Sequence, residues 1–420
     1  MNSIVEAPAP HISTTATPEP ALHPGLEGIV LAETRLSHVD GEQGQLLLAG
    51  RPVEEVAGRW PFEQTVFLLW TGREASDAEL AALCHELRMR RALPAATREL
   101  LSQARARRLA PMEALRLGVD SLELLEHPPV DAPLLADLAA VDLPLPAARA
   151  ELGRELGVLA RLPGLIAATM AKEGQDESAI DPSTIDASTF AGHLLACLGL
   201  AGGSSEGPRA ARVRALDTYL STVIDHGCNA STFAARVVTS TGAGLVPSLV
   251  AALGALAGPL HGGAPGPALD LVREVGRAED AEPVLRRHLD AGERLMGFGH
   301  RVYKVRDPRA AVLGAAVEEL VAAGAGDGAL LKLTREVERV ATRLLDERKP
   351  GRRLRANVEL YTALLLDGVG LSTELFTPVF AVARSAGWIA HRREQRAEGR
   401  LIRPRLRWRG EPSAIFSVKR

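Results

Sequence analysis

Cysteine is scarce in this chain: Cys84, Cys197 and Cys228 are the only three among 420 residues, odd in number and without a CxxC pair. A disulfide framework is therefore not expected, and a reducing, cytoplasmic setting is. An excess of one charge sign is also missing. With 49 Lys and Arg against 52 Asp and Glu, the net charge of -3 leaves no basic surplus to displace counterions, so nucleic acid is not an expected partner. No uninterrupted apolar run approaches the roughly 20 residues that cross a bilayer, so no membrane span is expected and the chain reads as soluble. The first residues lack an early basic residue followed by an apolar core, so a secretory signal is not expected, and the Pro, Thr and Glu content of residues 1–24 reads as a disordered tail. There is no fixed-period repeat, no P-loop and no GxGxxG opening a βαβ unit, which leaves NTPase and dinucleotide folds without support.

What is present is mostly helical signal, in a chain that is 46% hydrophobic and 24% charged and long enough for more than one domain. Ser76 and Glu79 are spaced as a capping box, Leu80, Leu83 and Leu87 continue one amphipathic helix, and Pro94 is expected to stop it. Pro61–Trp70, Ala210–Ile224, Thr232–Ser240, Ala310–Ala323, Leu331–Arg348, Tyr361–Asp367 and Thr377–Gln395 repeat the pattern of helix formers with apolar residues at helical spacing. The expected fold class is all-α. One β signal appears near the start, where Ile29–Leu36 and Gln45–Leu48 flank the turn-forming Asp40-Gly41; this predicts a small, peripheral hairpin. Gly174–Ser188 reads as a connector.

Three histidines lie in glycine-bearing segments: DHGCNAS around His226, GPLHGGA around His261 and GFGHRVY around His300. Glycine lets backbone approach a ligand closely, and imidazole can donate or accept near neutral pH, so the trio points to a site for an anionic small molecule.

These segments, with NVELYTALLL (357–366) and FAVARSAGWIAHRREQ (380–395) following in order, resemble the citrate synthase and 2-methylcitrate synthase family. The likeness runs from GLEGIVLAETRLSHVDGEQGQLLLAGR (25–51) to LIRPRLRWRGE (401–411). It implies an all-helical two-domain fold with a large domain from residues 25–261 and 361–420, a small domain from residues 262–360, and a homodimer with a shared active site. The implied reaction condenses acetyl-CoA with oxaloacetate and water to citrate and CoA, as in the tricarboxylic acid cycle, without a permanent cofactor or a metal. Propionyl-CoA giving 2-methylcitrate, or a catalytically weak relative that only binds, are the alternatives.

By resemblance, His261 stabilises the thioester enolate, His300 polarises the oxaloacetate ketone and His226 is a further oxaloacetate contact. Arg309, Arg384 and Arg403 take the two carboxylates, Arg403 reaching into the neighbouring subunit's site. Arginine suits that task because its planar fork meets carboxylate in bidentate geometry. The base position holds Glu359 where the family usually has Asp, although some relatives carry NVE. The extra methylene must be absorbed by the backbone, since a misplacement of about 1 Å can cost about a hundredfold in rate. Gly244 where Asp is usual and Ala257 where Lys is usual are lesser departures. For CoA, Arg294, Leu295, Met296, Gly297 and Gly299 resemble the adenine loop, and Lys304, Lys349 and Arg352, in a cluster with Arg353 and Arg355, are candidates for the phosphates. The base and the enolate donor fall in different domains, so closure over bound oxaloacetate would complete the site.

Overall fold

The computed structural model describes residues 21–139, 142–170, 187–200, 207–262, 265–300 and 302–409. The chain divides into two compact units, Thr34–Ile402 and a smaller one of Met1–Glu33 with Arg403–Arg420. In the smaller unit Pro24–Leu26 form a single 3₁₀ turn, and residues 1–20 of the expected tail lie outside the described residues.

The large unit is all-α with one small sheet, as the spacing predicts. Its helices are α1 (Val53–Val56), α2 (Phe62–Thr71), α3 (Asp77–Met89), α4 (Ala95–Ala106), α5 (Pro111–Ser121), α6 (Leu145–Met170), α7 (Phe190–Cys197), α8 (Pro208–Val223), α9 (Ala230–Ser240), α10 (Leu245–Leu256), α11 (Pro265–Val275), α12 (Ala281–Asp290), α13 (Pro308–Ala322), α14 (Gly328–Arg348), α15 (Val358–Val369) and α16 (Phe376–Glu398). The Ser76 capping box opens α3, with Glu79 N donating to Ser76 Oγ and Ser76 N to Glu79 Oε2. Pro94 has a different part from the one expected. The helix already ends at Met89, and Pro94 is the N-cap of α4. Of Gly174–Ser188, all but Ala187 and Ser188 lies outside the described residues.

The hairpin also differs from expectation. Strands β1 (Ser37–Asp40), β2 (Gln45–Leu48) and β3 (Arg51–Pro52) form an antiparallel sheet in that order, with Ser37 opposite Leu48 and Asp40 opposite Gln45. Ile29–Leu36 is not a strand; pairing starts only where Ser37 can face Leu48. Nor is the sheet peripheral, because Leu46 and Leu48, on one face by the two-residue period, are fully buried in the core.

Helix α8 lies at the centre, packed against α13, α15 and α16. Along α15 apolar residues are buried on every side, as expected of a helix wrapped by neighbours. Each leucine so enclosed contributes about 1.5–3 kcal/mol relative to exposure. Among the described residues no single helix is long and apolar enough to cross a membrane.

A carboxyl pair is enclosed away from the histidines. Glu63 is 2% exposed, its Oε1 accepts Phe190 N at 2.6 Å and its Oε2 is buried without a hydrogen-bond partner among the described residues. Asp217 Oδ1 accepts Phe62 N at 3.3 Å. Burial raises both carboxyls, and the Glu63 charge raises the Asp217 carboxyl further; at Glu63 the backbone N–H groups of Glu63 and Phe190, and then the Arg91 charge, oppose the rise. A proton held in the folded state but lost in the unfolded chain stabilises the fold at low pH. That contribution is full below the ordinary carboxyl range and is lost as pH rises through the folded values. Asp217→Asn is therefore expected to flatten the fall in melting temperature as pH rises above the ordinary carboxyl range, measured by calorimetry; an unchanged slope would remove the pair from the pH response.

Candidate active site

Three helices begin beside the histidines, and each has the side-chain acceptor that exposed N–H groups at a helix start require. Asn229 caps α9 through Thr232 N at 3.2 Å, Asp307 caps α13 through Arg309 N at 3.0 Å, and Asn357 caps α15 through Glu359 N at 3.0 Å. His226 precedes the first, His300 and Tyr303 the second, and Glu359 is in the first turn of the third.

His300 sits in a loop pinned to the start of α15. Gly299 N donates to Arg355 O at 2.8 Å, Asn357 N to Gly297 O at 2.9 Å and Asn357 Nδ2 to Gly299 O at 2.9 Å. The loop needs its glycines, since Gly297 and Gly299 have φ of +85° and +84°. The loop bearing His300 and the helix bearing Glu359 thus share one frame. His300 and His226 rings lie 5.4 Å apart, edge to face, and Tyr303 packs against both, at 4.8 and 5.5 Å. His226 Nε2 is 3.2 Å from the Tyr303 hydroxyl.

His261 closes the turn after α10. Gly262 N bonds Leu256 O at 3.1 Å, and a Cβ on Gly262 would stand 2.5 Å from that carbonyl, so the motif glycine is demanded by close approach. The ring is held by Ser231, whose N–H donates to Nε2 at 3.3 Å and whose Oγ is 2.8 Å from it.

These partners assign the tautomers. At His300 two backbone donors, Val302 N and Tyr303 N, meet Nδ1 at 3.0 and 3.1 Å, so Nδ1 carries no proton and Nε2–H is the donor. At His261 the amide on Nε2 leaves the proton on Nδ1. Burial, and then the Arg309 charge at His300 and the Arg384 charge at His261, push each ring down to about 4. Burial, Arg309, His300 and Arg384 hold His226 well below the usual imidazole range. All three are neutral donors at physiological pH.

Two guanidiniums are buried with them. Arg384, 2% exposed, spends Nε on Val223 O at 2.7 Å, stacks over Phe380 at 4.6 Å and is pushed down to about 10 by burial, so it stays charged. Arg309, 3% exposed, forks onto Asp307 at 3.0 and 2.8 Å. Burial alone would lower its pKa, but the Asp307 charge more than offsets that. Burial pushes the Glu359 carboxyl up to about 7 against the lowering charges of Arg309 and Arg384. Arg384 is thus felt by Glu359, His226 and His261 alike. One low-dielectric region combines a carboxyl poised near neutrality, aimed imidazole donors and fixed cations, which is what carbanion chemistry on an anionic carbonyl compound requires.

Other expected residues fall outside this group. Leu295 is 5% exposed and packed in the hydrophobic core. Lys304 is paired with Glu42, and Lys304 N donates to Gly41 O at 2.9 Å, so its ammonium already has a carboxylate. Arg294, Lys349 and Arg352 are exposed, and Met296 packs against the core with Gly297 and Gly299 beside it. Arg403 is exposed in the smaller unit.

Sequence reasoning passed over several supports. Tyr303 was within the quoted GFGHRVY stretch. Behind His226, Asp225 Oδ1 meets His391 Nε2 at 3.1 Å, His391 Nδ1 accepts from Arg236 at 3.2 Å, and Asp225 Oδ2 accepts Ser37 Oγ at 2.5 Å. Trp388 Nε1 donates to Ser231 Oγ at 3.3 Å. Each joins residues far apart in the chain, so no local spacing signals it.

The family model described as citrate synthase, C-terminal domain, matches residues 25–405. A citrate synthase from Haloferax volcanii is 34% identical over 395 residues, covering 94% of this chain and 97% of its own. The crystal structure of citrate synthase from Pyrobaculum aerophilum is 28% identical, covers 92% of each chain and superposes with a TM-score of 0.77. The citrate synthase of Thermoplasma acidophilum, solved as a ternary complex with carboxymethyl coenzyme A and oxaloacetate, shares the fold with a TM-score of 0.77 at 23% identity. With the histidines, arginines and carboxylate assembled as above and the likeness spanning nearly the whole length, this chain belongs to the citrate synthase family.

Proposed function

We propose that this enzyme condenses acetyl-CoA with oxaloacetate and water to give citrate and CoA. The observation that carries the reading is the Arg384 field over a carboxyl poised at about 7 and imidazoles held neutral with their protons on known nitrogens. Arg309, Arg384 and His226 would take the two oxaloacetate carboxylates. Glu359 removes a methyl proton from the thioester while His261 Nδ1–H donates to the thioester oxygen, so that negative charge moves onto an oxygen already facing a donor. The enolate carbon then attacks the ketone, whose oxygen takes a hydrogen bond from His300 Nε2–H. Water cleaves the thioester and releases CoA.

In the same reading, Arg294 and the backbone of Met296, Gly297 and Gly299 meet the adenine, and Lys349 and Arg352 meet the phosphates. Residues 262–360 move as a small lobe, and Arg403 completes the site of a second copy in a homodimer. The exposure of these basic side chains and the single frame holding His300 and Glu359 support this.

A thiol-release assay tests the function. CoA release from acetyl-CoA is expected only when oxaloacetate is present. Release from propionyl-CoA is expected to be slower by about 10- to 200-fold, the worth of one methylene in an apolar pocket. Bound oxaloacetate with no release from either thioester would make the protein a binding relative instead.

A further inference from the structure

The turn between β1 and β2, Gly41–Gly44, lies directly against the loop that carries His300 and Tyr303. A Cβ on Gly41 would stand 2.1 Å from Val302 O, and one on Gly44 would stand 2.5 Å from Val305 Cγ2. Lys304 N donates to Gly41 O at 2.9 Å, and the Lys304 ammonium pairs with Glu42. At the other end of the same hairpin, Ser37 Oγ donates to Asp225 Oδ2 at 2.5 Å and accepts Gly227 N at 3.0 Å, bracketing His226. One rigid hairpin therefore touches the chain immediately around both imidazoles, whose rings are 5.4 Å apart.

Building on the reading of His226 and His300 as oxaloacetate contacts, we propose that this hairpin is a positioning element for the oxaloacetate site, with Gly41 and Ser37 as positioning residues and Lys304 part of the brace rather than a phosphate ligand. Val302 O cannot yield to a Cβ without moving the amides of Val302 and Tyr303, which are the groups that fix the His300 tautomer. Displacing them frees the ring to rotate, and the donor facing the ketone is lost. A shift of about 1 Å at such a group costs about a hundredfold.

The test uses the full-length protein and begins with wild-type turnover; an inactive wild type would overturn the function reading and leave the geometric proposal to be read by oxaloacetate binding alone. Gly41→Ala is expected to raise the KM for oxaloacetate at least tenfold and to lower kcat, with the KM for acetyl-CoA within twofold of wild type. Glu42→Lys and Lys304→Glu are each expected to give a smaller loss of about threefold on the oxaloacetate side, as suits an exposed pair, and the double exchange to restore it. An unaltered oxaloacetate KM in Gly41→Ala overturns the proposal. So does a rise in the acetyl-CoA KM in Lys304→Glu that the exchange fails to rescue, which would return Lys304 to the phosphates. Should Gly41→Ala not fold, the charge exchange decides alone.

Discussion

Glu359→Gln is expected to lower turnover by about 10²- to 10⁴-fold while oxaloacetate still binds, because the amide keeps the volume and loses the proton acceptor. Burial sets the pH dependence. With the carboxyl pushed up to about 7, wild-type kcat/KM should climb as pH rises towards 7 and level off above it, the base being useful only after its proton has gone. In the glutamine variant that limb should vanish from the residual rate, and a persisting limb would assign it to another group. The same shift acts on stability with the opposite sense. The protonated carboxyl favours the fold, so this contribution is full below 4.5 and is lost by about pH 7. Glu359→Asp is the sharper probe of design. Asn357 fixes the backbone of residue 359 through its amide, so a shorter side chain withdraws the carboxylate by about 1 Å and turnover should fall by up to about a hundredfold. A faster aspartate variant would mean that the longer side chain is poorly placed.

Arg384→Leu has the second large effect. Removing one member of a buried charge pair costs about 2–5 kcal/mol, so the oxaloacetate KM should rise by about 30- to 5,000-fold. The loss should also be visible at a distance. Arg384 lowers the Glu359 carboxyl and the His261 ring, so both should titrate at higher pH in the leucine variant, Glu359 above about 7. Arg384→Lys separates the two roles. It keeps the charge, and hence the wild-type pH profile, but gives up the fork that holds Val223 O and a carboxylate together, so KM should still rise. An equal pH shift in both variants would sink the electrostatic account.

The helices that face solvent on one side, such as α3 with its capping box and α14, were legible because their apolar residues recur at helical spacing. Helix α10, LVPSLVAALGAL, was not, since its less buried side carries Pro247, Val250, Ala251 and Gly254 in place of polar residues and so gives no amphipathic contrast. Of the site, His226, His261, His300, Arg309, Arg384 and Glu359 were readable in order along the chain, each inside a short motif. Tertiary contacts decided the remainder. Ser37, Arg236, His391 and Asp225 come from β1, α9, α16 and the turn before α9 respectively, and only folding makes neighbours of them. The hairpin was misplaced by a few residues for a related reason: Ile29–Leu36 is as apolar as a strand, but pairing begins where the turn geometry permits.

The direction in which the imidazole protons point bears on poisoning by transition metals. A zinc or nickel ion binds the ring nitrogen's lone pair, and at His261 and His300 that lone pair is occupied by peptide amides. An ion reaching either ring would have to turn it out of its amide contacts before it could take up the lone pair. The arrangement that suits a ketone oxygen thus also makes the enzyme a poor scavenger of soft cations.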